Sequence, residues 1–161
     1  MEAWRRKEKE TVIIRKEKYF VDALIKRLEQ NPYNNIEQEH RVHGHLDKRN
    51  DTRIDVLAYL NGKPFAFEVK SDEGDNWNGI EQTAYNKKMI GIDNSYLVTG
   101  KRPTWEQVFT MLNENIGCLY MPSPNVEPVP IVRIGDTEAD VLSRLYNQWK
   151  EEQRMIKKYG G

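Results

Sequence analysis

Cysteine is almost missing from this chain: Cys118 is alone among 161 residues. A single thiol excludes an internal disulfide and a four-cysteine iron–sulfur cluster, and leaves Cys118 to act as a small buried hydrophobe. Long apolar runs are also missing, and none approaches the roughly 20 residues needed to cross a bilayer. The start, Met-Glu-Ala-Trp-Arg-Arg, has no apolar signal core, so the expectation is a soluble, cytoplasmic protein with no membrane partner. Net charge is absent too, with 25 Lys and Arg against 25 Asp and Glu. A neutral total argues at first against nucleic acid. The distribution changes that: residues 1–30 carry nine basic and six acidic side chains, and residues 144–161 carry five and two. Basic ends thus flank an acidic middle, and they are either phosphate contacts or ordinary solvated helix faces. The length suits one domain with a single core.

The most informative segment runs from Asp55 to Lys70. Two alternating apolar runs are joined there by Asn61-Gly62, the strongest short-range signal for a type I′ hairpin turn. A two-residue turn fixes the register: Leu60 should face Lys63, Val56 should face Phe67, and Asp55 should face Glu68. By alternation, Asp55, Glu68 and Lys70 should share one face, while Ile54, Val56, Ala58, Phe65, Phe67 and Val69 line the core face. Arg53 should then lie opposite Lys70.

Opposed carboxylates repel, so something must compensate them. A hard divalent cation does this well, because Mg²⁺ takes oxygen ligands, keeps several waters and is commonly held by one or two carboxylates. An ammonium one pleat away, Lys70, can orient a water or neutralise charge developing on a phosphate. The plain alternative is a surface hairpin whose acids are salt-bridged by Lys70, but an exposed face would be more polar than these strands are.

Asp55 followed by Glu68-Val69-Lys70 resembles the motif of the PD-(D/E)XK nucleases. Within that superfamily the spacing is most similar to the archaeal Holliday junction resolvases, which place a further catalytic Glu on the first helix. Glu17, three and seven residues before Phe20 and Leu24, falls at that place, and Gln82 falls where several branches carry a Gln on the helix after the Lys strand. The similarity covers roughly residues 15–100, the core of the fold, and 101–161 carry nothing specific to the family. The resemblance implies an α/β, restriction-endonuclease-like core of order αβββαβ, with a central mixed sheet flanked by helices. It also implies Mg²⁺, with Mn²⁺ able to substitute, held by Asp55, Glu68, the Val69 carbonyl and Glu17. Lys70 would serve the attacking water or the transition state, with Gln82 in support.

Periodicity alone leads to the same element order. Arg15 to Gln30 places Phe20, Ala23 or Leu24, and Leu28 on one stripe of a helix that Asn31-Pro32 ends. Ile36 to Val42 alternates as a strand, Gly44 to Asp51 reads as a loop, and the hairpin follows. Ser71 to Gly79 reads as a polar loop, Ile80 to Ile90 as a helix stopped by Gly91, and Ser95 to Thr99 as a buried strand. Beyond the core, Thr104 to Asn115 suggests a capped helix, Gly117 to Met121 a strand, and Ile131 to Ile134 another strand after a proline-punctuated connection. Thr137-x-x-Asp140 resembles a capping box, opening a long amphipathic helix through Val141, Leu142, Leu145, Trp149 and Ile156. That helix either caps the core or pairs with its counterpart in a homodimer; capping is the slightly favoured reading.

Other residues compete for roles. Glu37 and Glu39 rival Glu17 as a third acid. His40, His43, His45 and Asp47 are zinc-ligand types, but in a strand His40 and His43 point to opposite faces. Trp77 is placed to stack on a base or to anchor its loop, and Arg53, Arg41, Lys48, Arg49, Lys87 and Lys88 are phosphate candidates. The expectation is a metal-dependent DNA endonuclease, structure-directed, of junction-resolving or single-strand and flap type. The rival from another class is a DNA-binding or assembly module without turnover.

Overall fold

The structure, a computed structural model, describes residues 2–43 and 51–159. In chain order these form α1 (Glu2–Gln30), β1 (Tyr33–His43), β2 (Asp51–Leu60), β3 (Lys63–Lys70), α2 (Asn76–Ile90), β4 (Asn94–Thr99), α3 (Trp105–Asn113), β5 (Gly117–Tyr120), β6 (Val129–Val132) and α4 (Glu138–Tyr159). The αβββαβ core is therefore present, followed by a helix, two strands and the long last helix. The six strands lie in sequential order in one mixed sheet. β1, β2 and β3 are antiparallel, β3, β4 and β5 are parallel through α2 and α3, and β6 returns antiparallel.

The hairpin forms as its turn dictates. Asn61 and Gly62 take φ of 52° and 78°, positive at both central positions as type I′ requires. Leu60 faces Lys63 and Val56 faces Phe67.

Two layers of helix cover the sheet. On one face Phe20, Val21, Leu24 and Leu28 of α1 pack with Val56, Ala58, Phe67, Val69 and Val98. On the other, Ile80, Val108, Met111 and Val141, from α2, α3 and α4, pack over Leu97, Cys118, Ile131 and Val132. Leu97 and Val98 show the alternation directly, since neighbours in one strand serve opposite layers. Each such large apolar side chain contributes roughly 1.5–3 kcal/mol by leaving water. Cys118 is fully buried, and burial pushes its thiol well up from the ordinary range. Among the described residues no helix is long and apolar enough to cross a membrane.

Several boundaries differ from expectation. α1 begins at Glu2, well before Arg15, and β1 extends to Tyr33 and His43. α2 begins at Asn76, inside the stretch read as loop, because the Asp75 carboxylate caps it by accepting from the N–H groups of Trp77 and Asn78. Trp77 is thus a first-turn helix residue. β6 is two residues early and contains Pro130, which an edge strand tolerates. The capping box of α4 is made as expected, Thr137 N–H donating to Asp140 and Asp140 N–H to Thr137 Oγ1. The helix it opens does not cap the core along its length, however; only Val141 of α4 is buried.

Candidate metal and active site

The paired residues of β2 and β3 run only from Leu60–Lys63 to Val56–Phe67. One residue further, the Val69 N–H donates to Asp55 Oδ2 at 2.9 Å, where a regular ladder would offer a backbone carbonyl. The strands part there, and alternation along β2 slips. Ile54 packs with Leu57, Ala66 and Ile92, not with Val56 and Ala58 as expected. Arg53 and Asp55 instead line a cleft of about 510 Å³ with Glu17, Lys18 and Val21 of α1, Gln38 of β1 and Val69. Arg53 and Lys70, expected to face each other, lie beyond the last β2–β3 pair, and the backbone partner that Arg53 keeps is Arg41 on β1.

Glu68 lies against the same gap, only 7% exposed. Its carboxyl is pushed up to about 8, first by burial and then by the charge of Asp55, and its proton is donated to Asp55. Asp55 is also raised, mainly by burial, although the Val69 N–H and the charges of Arg53 and Lys70 oppose the rise. The two acids therefore meet, and without a cation they share a proton. Glu17 is raised by burial against the pull of Lys70. The Lys70 ammonium stands 4.0 Å from Glu17 Oε1, with the two side chains 14% and 29% exposed. Among the described residues no three His, Cys, Asp or Glu side chains converge as a ready-made cage; the acid that meets Asp55 is Glu68, and Glu17 faces the ammonium.

Close backbone approach fixes Lys70. A Cβ on Gly79 of α2 would lie 3.1 Å from Lys70 Cγ and 2.7 Å from Leu97 Cδ1, so helix and lysine stem pack through a missing side chain. The Lys70 carbonyl accepts from Gly100 N–H at 2.9 Å. A Cβ on Gly100 would fall 2.6 Å from the Asp72 nitrogen and 2.6 Å from the Phe20 ring. Gly100→Ala is therefore expected to cost about 1–3 kcal/mol by overpacking, read as a fall of several degrees in Tm; an unchanged Tm would contradict this clamp. Buried polar bonds hold the opening of α2 in place, Thr99 Oγ1 donating to Asn76 Oδ1 at 2.6 Å and Asn76 Nδ2 to the Lys101 carbonyl at 2.9 Å. Lys16 ties α1 to the loop after β3 through Glu73 at 2.6 Å.

The structure thus brings Asp55, Glu68, Lys70, Glu17, Val69 and Arg53 together. No contact among the described residues ties Gln82 to these: the face of α2 turned to the sheet is Asn76, Gly79, Ile80, Thr83 and Asn86, while Gln82 and Tyr85 are exposed. The α2 pattern is weakly apolar, and its packed stripe runs through Gly79 and Thr83. Lys87 is engaged with the Asn115 carbonyl, at the far end of α2. Trp77 is 40% exposed on the first turn, and Lys88 is exposed on the last. Lys48, Arg49, His45 and Asp47 lie outside the described residues, as do the side chains of Glu39, His40, Arg41 and His43. Sequence reasoning missed Gln38 and Lys18. Gln38 sits opposite Val56 on β1 and lines the cleft, so the β1 position that serves the site is the one beside Glu37.

No family model matches the sequence, and no curated protein matches it. Among solved structures the chain is similar to Can2 from Sulfobacillus thermosulfidooxidans, in complex with cyclic tetra-adenylate. That match has a TM-score of 0.50 and 16% identity, over 67% of this chain and 32% of Can2. It is also similar to a protein of unknown function, AF1548, with a TM-score of 0.49 and 19% identity, over 62% of this chain and 56% of that one. At such identity the likeness to Can2 concerns the fold alone, and this chain spans about a third of Can2's length.

Proposed function

We propose that this chain is a divalent-metal-dependent phosphodiesterase acting on DNA, an endonuclease of PD-(D/E)XK type with a preference for DNA structure over sequence. The observation that carries the reading is the meeting of the buried Glu68 with the half-buried Asp55, which lines the cleft, and of the Lys70 ammonium with Glu17 on the wall of the same cleft. Its donor set is all oxygen and, with both acids ionised, carries two negative charges in a partly desolvated place. That combination fits Mg²⁺, or Mn²⁺ in its stead, which needs only one or two protein carboxylates and completes its shell with water and phosphate. It fits poorly with zinc, which prefers three or four His, Cys and acid ligands.

Asp55 and Glu68 would hold the metal, with the Val69 carbonyl as a further oxygen. When bound, such a metal acidifies a coordinated water and offsets charge on the scissile phosphate. Glu17 would orient the ammonium of Lys70 in preference to completing the ligand set. Lys70 would place its positive charge where the water attacks or where the phosphate gathers charge. Arg53 and Lys18, on the cleft wall, would receive the flanking phosphates.

The test is purified protein with plasmid, single-stranded DNA and a four-way junction, in Mg²⁺ and in excess chelator. Cleavage in Mg²⁺ that stops with chelator is expected. Undiminished cutting in chelator would refute the mechanism, and DNA bound but uncut in both Mg²⁺ and Mn²⁺ would assign the chain to the binding modules instead.

A further inference from the structure

The cleft that Asp55 lines has a floor and a rim of different chemistry. Val69 and Val21 are 1% and 9% exposed and Asp55 is half-buried, so these lie deepest. Lys18 of α1, Gln38 of β1 and Arg53 of β2 are exposed and form the rim. The rim thus has the helix on one side and the strands on the other, and a phosphate that reaches Asp55 passes between them. At about 510 Å³ the cleft is the size of a small-molecule pocket, room for one nucleotide of a strand and not for a paired second strand. Two of the rim groups are cations, which take phosphate. The third is not. The Gln38 amide is uncharged and offers both donors and an acceptor, the chemistry of a base edge. Gln38 faces Val56 across the β1–β2 ladder, one residue along β2 from Asp55, so it stands beside any phosphate held there.

We infer that DNA enters this cleft as an unpaired strand, single-stranded DNA or the single-stranded part of a flap, with Gln38 hydrogen-bonding the base beside the scissile phosphate. The inference rests on the nuclease reading, which puts that phosphate at Asp55 and Glu68. A duplex strand brings its complement with it, and its base edges lie at the bottom of grooves about 7.5–8.5 Å deep. Pressed between α1 and β1, such a duplex sets its second strand against the rim and keeps its base edges away from Gln38. An unpaired base can be splayed out and shows its Watson–Crick edge. The amide turns to match the donors and acceptors of any base, so what it recognises is the lack of pairing and not the sequence. Lys18 and Arg53 hold the phosphates on either side, and Val21 and Val69 give the sugar an apolar floor. The arms of a four-way junction are paired, and the same walls disfavour them.

Binding and turnover are read separately, so the strand preference and the nuclease reading fail independently. Fluorescence anisotropy of labelled single strand, flap, duplex and four-way junction is followed with Lys70→Ala in Mg²⁺, a variant expected to hold the metal without cutting. Single strand and flap should bind at least ~10-fold more tightly than duplex or junction at the same salt. Gln38→Ala, added to that variant, should weaken the unpaired substrates by roughly two- to tenfold, the range of one hydrogen bond, and leave duplex binding unchanged. In the otherwise native chain the same substitution should raise KM for single strand with kcat nearly kept. Duplex or junction bound as tightly as single strand would overturn the inference. So would a Gln38→Ala loss shared equally by all four substrates. A wild type that prefers single strand yet cuts nothing in Mg²⁺ or Mn²⁺ would support the strand preference and remove the nuclease reading alone.

Discussion

Glu68→Ala is expected to lower Mg²⁺-dependent DNA cleavage by at least ~100-fold, the scale seen when a group acting directly on the reaction is removed, while the protein stays folded. Glu68 faces the gap between β2 and β3, and the ladder carbonyls and amides of β3 do not depend on its side chain. Its removal takes away one of the two acids that can hold the cation. Asp55→Ala should lose activity equally but with a different stability signature. Asp55 Oδ2 accepts the Val69 N–H, and leaving that amide unpaired costs about 1–3 kcal/mol. Lys70→Ala should also abolish turnover, with metal binding retained, because its ammonium pairs with Glu17 on the cleft wall and not with Asp55 or Glu68 as a ligand. Equal activity in the Glu68 or Lys70 variant, with circular dichroism unchanged, would show that the chemistry lies elsewhere.

The second large effect is on stability against pH. In the metal-free protein Glu68 holds its proton up to about pH 8, whereas its ordinary value is 4.5. The folded state therefore binds a proton that the unfolded chain has released, so stability is full below about pH 4.5 and declines as pH rises towards 8. Asp55 is raised as well and acts in the same direction. At roughly 1.4 kcal/mol per unit, the decline is on the order of a few kcal/mol. Thermal melts in chelator from pH 5 to 9 should fall accordingly, and Glu68→Gln should flatten most of that slope and be the more stable protein at pH 8. Millimolar Mg²⁺ should restore Tm by mass action, more at pH 8 than at pH 6, because at low pH the cation must displace a proton. A slope of equal size in Glu68→Gln would place the proton uptake on other groups.

The hairpin was legible because two residues decide it: Asn61 and Gly62 can both take positive φ, and the turn then sets every pair down to Val56–Phe67. The αβββαβ order was legible because the periodicity of α1, β2, β3 and β4 is strong. What the sequence could not show is the parting of the strands beyond Val56. It depends on the Asp55 carboxylate replacing a backbone carbonyl as the acceptor of Val69 N–H, a tertiary event that no alternation rule encodes. Ile54 and Arg53 were therefore assigned to the wrong surroundings, while the meeting of Asp55 and Glu68 survived, because a side chain that fills the ladder also reaches its neighbour. Gln82 lies off the packed face of α2 for a different reason. Spacing identified a possible stripe on α2, but the stripe that packs is built around Gly79, whose contribution is an absence of side chain. Gln38 and Lys18 escaped notice because each sits next to a more conspicuous candidate, Glu37 and Glu17. The exposed stripe of α4 was visible as amphipathic, yet only the structure separates a helix that covers its own core from one that presents a face outward.

The central claim is that Asp55 and Glu68 together hold one divalent cation. Titration of Mn²⁺ into the metal-free protein, followed by the loss of its free electron paramagnetic resonance signal, tests this without any substrate. One site per chain is expected in the wild type, competed by Mg²⁺, and no site in Glu68→Gln or Asp55→Asn at the same concentrations. Undiminished Mn²⁺ binding in those two variants would contradict the account.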